Sequence, residues 1–243
     1  MVQGVAEVHP VSSSAQLTLL PWLLGWQPPA DRTRFAAGLH AGSAVGLALA
    51  LRADLAALGT TDRRRLVLSA LPAAAAGAVA QDVVERRLGG PRPTAAALAL
   101  GGLALSWADS RAERRTGPDR GSAGAADVGV AALAQVAALA PGVSRTGATL
   151  TALRARGVDR ASGYRLSLLM SLPVTLGAAG LTAVRGRALP PALPTALAGG
   201  SAYLSTRLLR PSRGTVTAAV AYRLLLAAAV LARRPSPTHE ERG

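Results

Sequence analysis

Long apolar runs dominate the pattern of hydrophobic and polar positions along the chain. Runs without Asp, Glu, Lys or Arg cover residues 8–30, 35–51, 66–81, 93–108, 128–144, 166–184 and 188–206, and residues 216–231 are interrupted only by Arg223. A large soluble helical bundle would also have buried apolar helices, but so many of them would leave little amphipathic surface. A membrane-spanning helix needs roughly 20 mostly apolar residues, so the pattern predicts an all-α, polytopic integral membrane protein with about seven to ten helical segments.

The first apolar run does not predict one straight span. Pro10, Pro21 and the serines from Ser12 to Ser14 interrupt it. Such irregular backbone is tolerated at membrane depth only where protein buries it or where it lines a water-filled cavity. This run is therefore predicted to be a broken, re-entrant segment.

The serine-rich turn has a counterpart far downstream. When Gln3 is placed over Gln135, Ser12-Ser13-Ser14 lies over Ser144-Arg145-Thr146. Two similar halves with broken helices are typical of inverted-topology repeats, which form their site between the repeats near the bilayer midplane. We predict one membrane domain over residues 1–243, with repeat halves at roughly 1–108 and 126–243, a polar linker at 109–125 and a polar, disordered tail at 233–243.

The run at residues 35–51 carries two features of its own. Gly38, Gly42 and Gly46 recur at every fourth position, which places them on one helix face and predicts close packing against another helix. His40 lies in the same run. A lone membrane histidine is either functional or bonded to a neighbouring carbonyl group, and the structural role is favoured here.

The charge composition limits the partners. The formal net charge is +14, yet the chain has no Lys, and its Arg residues are spread among the loops. A nucleic-acid partner is not expected, because no basic face forms and aromatic residues are few. The Arg side chains are better placed beside anionic lipid headgroups. With no Cys, disulfides, thiolate nucleophiles and zinc–thiolate sites are excluded.

The chemistry concentrates in the two related turns. Glu7 is the only acid among residues 1–30, and an ionisable group at membrane depth is a functional-site hypothesis, the alternative being a packing ion pair with an Arg. Hydroxyls, backbone amides at a helix start and the forked Arg145 guanidinium suit a phosphate. Within apolar surroundings they indicate the headgroup of an anionic lipid. The residues predicted to contact the phosphate are Ser12, Ser14, Ser144, Arg145, Thr146 and Gly147.

Three motifs in a fixed order carry a family resemblance that covers nearly the whole chain. They are Gln-Gly-x-x-Glu-x-x-Pro-Val-Ser-Ser-Ser from Gln3, Pro-Gly-Val-Ser-Arg-Thr-Gly-Ala-Thr from Pro141, and Ser-Leu-Leu-Met-Ser-Leu-Pro from Ser167. The chain resembles the bacterial undecaprenyl-diphosphatases linked to bacitracin resistance. The resemblance implies a multi-pass plasma-membrane hydrolase that converts undecaprenyl diphosphate to undecaprenyl phosphate and phosphate for cell-wall synthesis. It also implies inverted repeats with re-entrant helix pairs and an active site that faces outward.

The resemblance also assigns roles to individual residues. Glu7 matches the essential acid, Ser13 the proposed nucleophile or phosphate-contacting hydroxyl, and Arg145 the phosphate-binding arginine, so these three are the predicted catalytic residues. Gln3 matches a position that is Glu or Gln in the family. Glu7 would act as a base or, with Gln3, as a ligand of a divalent cation, Mg²⁺ or Ca²⁺; no other cofactor is expected.

The chain departs from the family pattern in two places. Ala15-Gln16 stands where the family has Gly-His, so the expected general acid/base is replaced by Gln16, which does not exchange a proton near neutral pH. His9 is the nearby candidate to take over this role. The second departure is the short lead before Gln3, which indicates either a start further upstream or a shortened first re-entrant arm.

The predicted mechanism pairs the two turns. Arg145 and the turn amides hold the diphosphate, and Ser13 attacks the terminal phosphorus or positions water for the attack. The alternatives are a lipid-phosphate transporter or flippase with the same phosphate grip, and a catalytically weakened or silent family member. The predicted partners are undecaprenyl diphosphate and the membrane; a homodimer is left open.

Overall fold

The described part of the chain is almost entirely helical. In the computed structural model, which describes residues 1–27, 29, 31–115, 119–184, 191–209 and 211–233, twelve α-helices and one 3-10 helix form, and pairing between extended segments is limited to one isolated bridge. This confirms the all-α prediction, with more separate helices than the seven to ten segments expected. The helices are α1 (Val2–Val8), α2 (Ser13–Leu24), α3 (Arg32–Ala50), α4 (Arg52–Ala57), α5 (Thr60–Leu68), α6 (Leu71–Leu88), α7 (Pro91–Glu113), α8 (Ala125–Ala134), the 3-10 helix Gln135–Leu139, α9 (Arg145–Ala155), α10 (Arg160–Val184), α11 (Ala192–Leu208) and α12 (Arg213–Ala232).

The first apolar run is broken as predicted. Helix α1 ends at Val8 and α2 begins at Ser13, and Ser12 between them has a left-handed backbone with φ of 65°. The Ser12 hydroxyl accepts a hydrogen bond from the amide of Ala15 at 3.4 Å, which caps α2.

The downstream turn is built in the same way. Helix α8 passes into the 3-10 helix, and α9 then begins at Arg145. Ser144 caps α9 by accepting a hydrogen bond from the amide of Gly147 at 3.1 Å. Ser12 and Ser144 are the pair superimposed by the sequence echo, so both copies of the turn start a helix from a serine cap.

Two of the three glycines in the predicted α3 face, Gly42 and Gly46, form the close contact. A side-chain carbon added at Gly42 or Gly46 would overlap the carbonyl groups of Thr195 and Gly199, respectively, on α11. The α3–α11 pair is also the most extensive helix contact among the described residues. Backbone-to-backbone packing of this kind requires small residues.

Replacing Gly46 with alanine should destabilise the protein, because the added methyl group would push α11 away from α3. We expect a loss of about 1–3 kcal/mol, the usual cost of overpacking. Thermal unfolding in detergent measures it. Gly129→Ala on α8 is the matched control, because nothing lies within 4 Å of a side-chain carbon there; equal melting temperatures for the two variants would contradict the packing argument.

Much of the apolar surface faces outward. In the part of the chain that the structure describes, two helical stretches, Thr60–Leu88 and Arg213–Ala232, are long and apolar enough to cross a membrane. Only 11% and 39% of their most apolar windows are buried. This assignment rests on length and composition alone. A core helix of a soluble protein would be mostly buried, so the low burial fits a membrane protein, where lipid covers such surfaces.

The predicted linker is more structured than expected. Helix α7 continues to Glu113, so residues 109–113 are helical. Asp109 is buried and accepts hydrogen bonds from Arg154 of α9 at 2.7 Å and from Arg160 of α10 at 2.8 Å. This ion-pair cluster ties α7 to the second half of the chain. Of the predicted polar tail, residues 234–243 lie outside the described residues.

A second ion-pair cluster holds the end of the linker. Arg120 donates two hydrogen bonds to Asp127 at 2.9 and 3.1 Å, and Arg156 also donates to this carboxylate. The bonds from Arg120 hold the pKa of the Asp127 carboxyl well below its ordinary range and raise the pKa of Arg120. The cluster therefore stays charged at neutral pH and fixes the start of α8 against the end of α9.

Candidate active site

The two serine-capped turns meet in one small cavity. It has a volume of about 170 Å³. Its walls come from α1, both turns, α3 and α10. The lining residues are Ala6, Glu7, Ser12, Ser13, Ser14, His40, Ala138, Val143, Ser144, Arg145, Thr146 and Ser171. The structure thus brings together all three predicted catalytic residues and most of the predicted phosphate contacts. Gly147 lies behind the cavity wall as the amide donor to the Ser144 cap.

Two hydrogen bonds join the turns directly. The amide of Gly142 donates to the Ser14 hydroxyl at 3.5 Å, and the Thr146 hydroxyl donates to the main-chain carbonyl of Glu7 at 3.0 Å. Gly142 has φ of 101°, a backbone conformation that favours glycine. The turns are thereby held in register with each other.

Glu7 is paired with a histidine rather than with an arginine. Its Oε1 lies 3.2 Å from Nδ1 of His40, and its Oε2 lies 3.5 Å from the amide nitrogen of Gln3. The Ser13 side chain lines the same cavity as this carboxylate. Within the described residues, no Arg forms a salt bridge with Glu7. The packing ion pair considered from the sequence is therefore not what holds this carboxylate.

His40 faces the cavity, which the sequence interpretation did not predict. A bond to a neighbouring carbonyl was favoured; instead Nδ1 faces the Glu7 carboxylate and lies 3.2 Å from the Gln3 amide nitrogen. His40 lies 33 residues from Glu7 in the chain, so no local motif joins them. The one available signal was that an ionisable residue occupied the middle of an apolar run.

Arg145 begins α9 and reaches across the cavity to α10. Its Nη1 donates to the carbonyl oxygen of Ser171 at 3.4 Å and to the Thr175 hydroxyl. Ser171 belongs to the third sequence motif, so that motif orients the guanidinium. The fork of Arg145 has five N–H donors, and those not bonded to α10 are available for phosphate oxygens.

Helix ends add to the positive potential. Helix α2 begins at Ser13 and α9 at Arg145, both on the cavity wall. Each N-terminus carries roughly half a positive charge, because its first amides lack intrahelical acceptors. Together with Arg145 they make a site for an anion of high charge.

Gln16 does not reach the cavity. Its amide nitrogen donates to the carbonyl oxygens of Val11 at 3.1 Å and Ser12 at 3.4 Å, and its Oε1 accepts from the Tyr222 hydroxyl at 2.6 Å. The residue at the family's histidine position therefore braces the turn.

His9 is not among the residues that line the cavity with Glu7. It lines a separate cavity of about 700 Å³ with mostly apolar residues of α11. The structure therefore does not support His9 as the acid/base of this site.

Comparisons with known proteins agree with these motifs. The family model described as "Bacitracin resistance protein BacA" matches residues 1–229. An undecaprenyl-diphosphatase of Geobacter sulfurreducens is 36% identical over 261 residues, covering 96% of this chain and 94% of that protein. One from Moorella thermoacetica is 32% identical with the same coverage, and one from Pelobacter propionicus is 39% identical over 73% of this chain and 70% of its own length. The chain therefore belongs to the BacA family of bacitracin resistance proteins.

Proposed function

We propose that this protein is an undecaprenyl-diphosphatase, which hydrolyses undecaprenyl diphosphate to undecaprenyl phosphate and inorganic phosphate. The observation that carries the proposal is the meeting of Glu7, Ser13 and Arg145 in one cavity bordered by two helix N-termini. The relatives carry the same name. The positive charge of Arg145 and of the two helix N-termini suits an anionic headgroup. The apolar exterior lets the polyprenyl chain of the lipid reach the site from the bilayer.

The first step uses Ser13 as nucleophile. Its Oγ forms a bond to the terminal phosphorus while the bond from that phosphorus to the bridging oxygen breaks, and undecaprenyl phosphate leaves with both bonding electrons. Arg145 and the helix amides offset the charge on the non-bridging oxygens. In the alternative, Ser13 orients a water that attacks the phosphorus, and the same groups stabilise the charge. This alternative forms no phosphoserine, so no covalent intermediate could be trapped.

Glu7 and His40 handle the proton. Ser13 gives its proton to the Glu7 carboxylate. When the His40 ring carries its own hydrogen on Nε2, its Nδ1 can accept a hydrogen bond from this proton on Glu7. In the second step water attacks the phosphoserine and the Oγ–P bond breaks. Both hydrogens of the water leave on the phosphate, and the stored proton returns to Ser13. The leaving group is a phosphate, so it needs little protonation of its own.

In the alternative role proposed for Glu7, its carboxylate binds a divalent cation, Mg²⁺ or Ca²⁺, instead of acting as the base. Among the described residues no group of three or more His, Cys, Asp and Glu exists that could hold an ion. Glu7 supplies one carboxylate, and Oε1 of Gln3 is buried without a hydrogen-bond partner. Mg²⁺ is commonly held by one or two carboxylates, with substrate phosphates and water completing its shell, so these two oxygens fit. The ion would neutralise charge on the diphosphate.

Chelation should therefore stop phosphate release. We expect EDTA to abolish the activity and excess Mg²⁺ or Ca²⁺ to restore it, measured as phosphate released from undecaprenyl diphosphate in detergent. Full activity in EDTA would remove the cation from the proposal.

We further propose a multi-pass plasma-membrane protein made of two inverted repeats in one domain, with the site open to the outer face. The matching serine caps of Ser12 and Ser144 support the repeat. Because the chain has no cysteine, a single Ser14→Cys substitution can report orientation. A membrane-impermeant maleimide should label this cysteine in intact cells. Labelling only in inverted vesicles would show that the site faces the cytoplasm instead.

Purified protein decides between hydrolysis and transport. We expect phosphate release from undecaprenyl diphosphate, well above that of an Arg145→Ala variant. Headgroup translocation in vesicles without phosphate release would favour the flippase, and neither activity would indicate a silent family member. His40 lies beside Glu7, so Gln16 at the family's histidine position does not leave the site without an imidazole.

A further inference from the structure

A buried arginine of α12 lies directly behind the site. Arg223 is 1% exposed. Its Nε donates to the carbonyl oxygen of Leu98 at 2.9 Å, and its Nη1 donates to the carbonyl oxygen of Pro10 at 3.0 Å. The guanidinium occupies a slot in α7 made by Gly101 and Gly102; a side-chain carbon at Gly101 would overlap Nη2.

The same guanidinium touches both halves of the site. Pro10 belongs to the first turn, while a side-chain carbon at Gly147 in the first turn of α9 would lie 3.0 Å from Nη1 of Arg223. Arg223 thus fills the space between the backbone that leads to Ser13 and the helix that starts at Arg145. Glycine at position 147 leaves room for this contact.

The charge of Arg223 has no acidic partner in the described part of the chain. No Asp or Glu forms a salt bridge with it there, and its Nη2 has no hydrogen-bond partner. An unpaired buried charge is costly. An apolar side chain would fill the same space at lower cost if packing were the only role.

The neighbouring residue braces the same turn by a second route. The Tyr222 hydroxyl donates to Gln16, whose amide nitrogen in turn donates to the carbonyl oxygens of Val11 and Ser12. Ser12 is the residue with the left-handed backbone. A non-glycine residue in that conformation persists only when its surroundings hold it there.

We infer that Tyr222 and Arg223 are positioning residues, which set the Pro10–Ser14 turn against the start of α9 so that Ser13 and Arg145 face one phosphate group. Arg223 acts through the Pro10 carbonyl and by contact with Gly147, and Tyr222 acts through Gln16. The unpaired charge of Arg223 also adds to the positive potential behind the headgroup. This inference rests on the proposed function, and it identifies two residues outside the cavity that hold the active site in place.

The test compares Tyr222→Phe, Arg223→Lys and Arg223→Met in purified, monodisperse protein. Arg213→Lys at the exposed start of α12 and Tyr203→Phe on α11 are the matched controls. Two readouts are taken: kcat and KM for phosphate release, and the rise in melting temperature caused by inorganic diphosphate. The second readout does not require turnover.

We expect Tyr222→Phe to remain folded and to lose about 10-fold in kcat, because it removes one hydroxyl. Arg223→Lys keeps the charge but lacks the planar fork whose Nε and Nη1 bond Leu98 and Pro10. We therefore expect kcat to fall about 100-fold, the size of loss that a small misplacement of reacting groups causes. Arg223→Met should in addition weaken the stabilisation by diphosphate. The controls should match the unsubstituted protein.

Unchanged kcat and unchanged diphosphate stabilisation in Tyr222→Phe and Arg223→Lys would overturn the inference. So would losses that vanish when activity is expressed per folded molecule. If Arg223 variants do not fold, Tyr222→Phe alone decides the matter. If the unsubstituted protein binds diphosphate but releases no phosphate, the proposed function fails, and diphosphate stabilisation still tests the positioning role.

Discussion

Replacing Arg145 with alanine should lower kcat/KM for undecaprenyl diphosphate by about 10²–10³-fold, the effect of removing one preorganised donor from a transition state. The guanidinium is the single arginine side chain among the residues that line the described cavity. Its Nη1 is fixed by Ser171 and Thr175, so the group is oriented before the substrate binds. The loss should therefore fall on kcat as well as on KM.

Arg145→Lys separates charge from geometry. Lysine keeps the positive charge but lacks the planar fork that binds phosphate bidentately, so we expect an intermediate loss of about 10-fold. Arg207→Ala, on the exposed end of α11, is the control and should leave kinetics unchanged. Unaltered kcat/KM in Arg145→Ala would rule out this arginine as the phosphate ligand.

His40→Gln should reduce kcat by about 10²–10⁴-fold, the usual contribution of a positioned acid/base. Glutamine can keep a hydrogen bond to Glu7 but cannot exchange a proton near neutral pH. The protein should remain folded, since His40 is only partly buried. Phosphate release under saturating substrate measures the effect.

Gln16→His provides the contrasting variant. The substitution puts at position 16 the residue that the family has there. The structure predicts no gain, because the Gln16 amide group braces the turn through Val11, Ser12 and Tyr222. Wild-type kinetics in His40→Gln together with a large gain in Gln16→His would show that the family position remains the working one.

The sequence predicted the site best in the two turns whose sequences resemble each other. The overlap of Ser12 with Ser144 and of Ser13 with Arg145 identified both turns, and these turns do meet. Close packing at Gly42 and Gly46 could also be predicted from the sequence, because residues four positions apart lie on the same face of one helix. In each case the information lay within one short segment or in a comparison of two segments.

The structure corrected the interpretation where distant segments meet. His40 was placed in a structural role and His9 was considered as the acid/base, because His9 is close to Glu7 in sequence. In the structure the histidine that is distant in sequence lies beside Glu7. His9 follows α1 and lines the other cavity, whereas α3 packs against α1 and brings His40 to the carboxylate.

By itself the sequence determined the helical class, the apolar surfaces, the family and the two turns that hold Glu7, Ser13 and Arg145. These features depend on local pattern and local capping chemistry. Only the tertiary structure decided that His40 faces Glu7, that Gln16 braces its turn, and that Tyr222 and Arg223 of α12 support the site from behind. Those pairings join residues that are 33, 206 and 213 positions apart, and contacts over such separations depend on how whole helices pack.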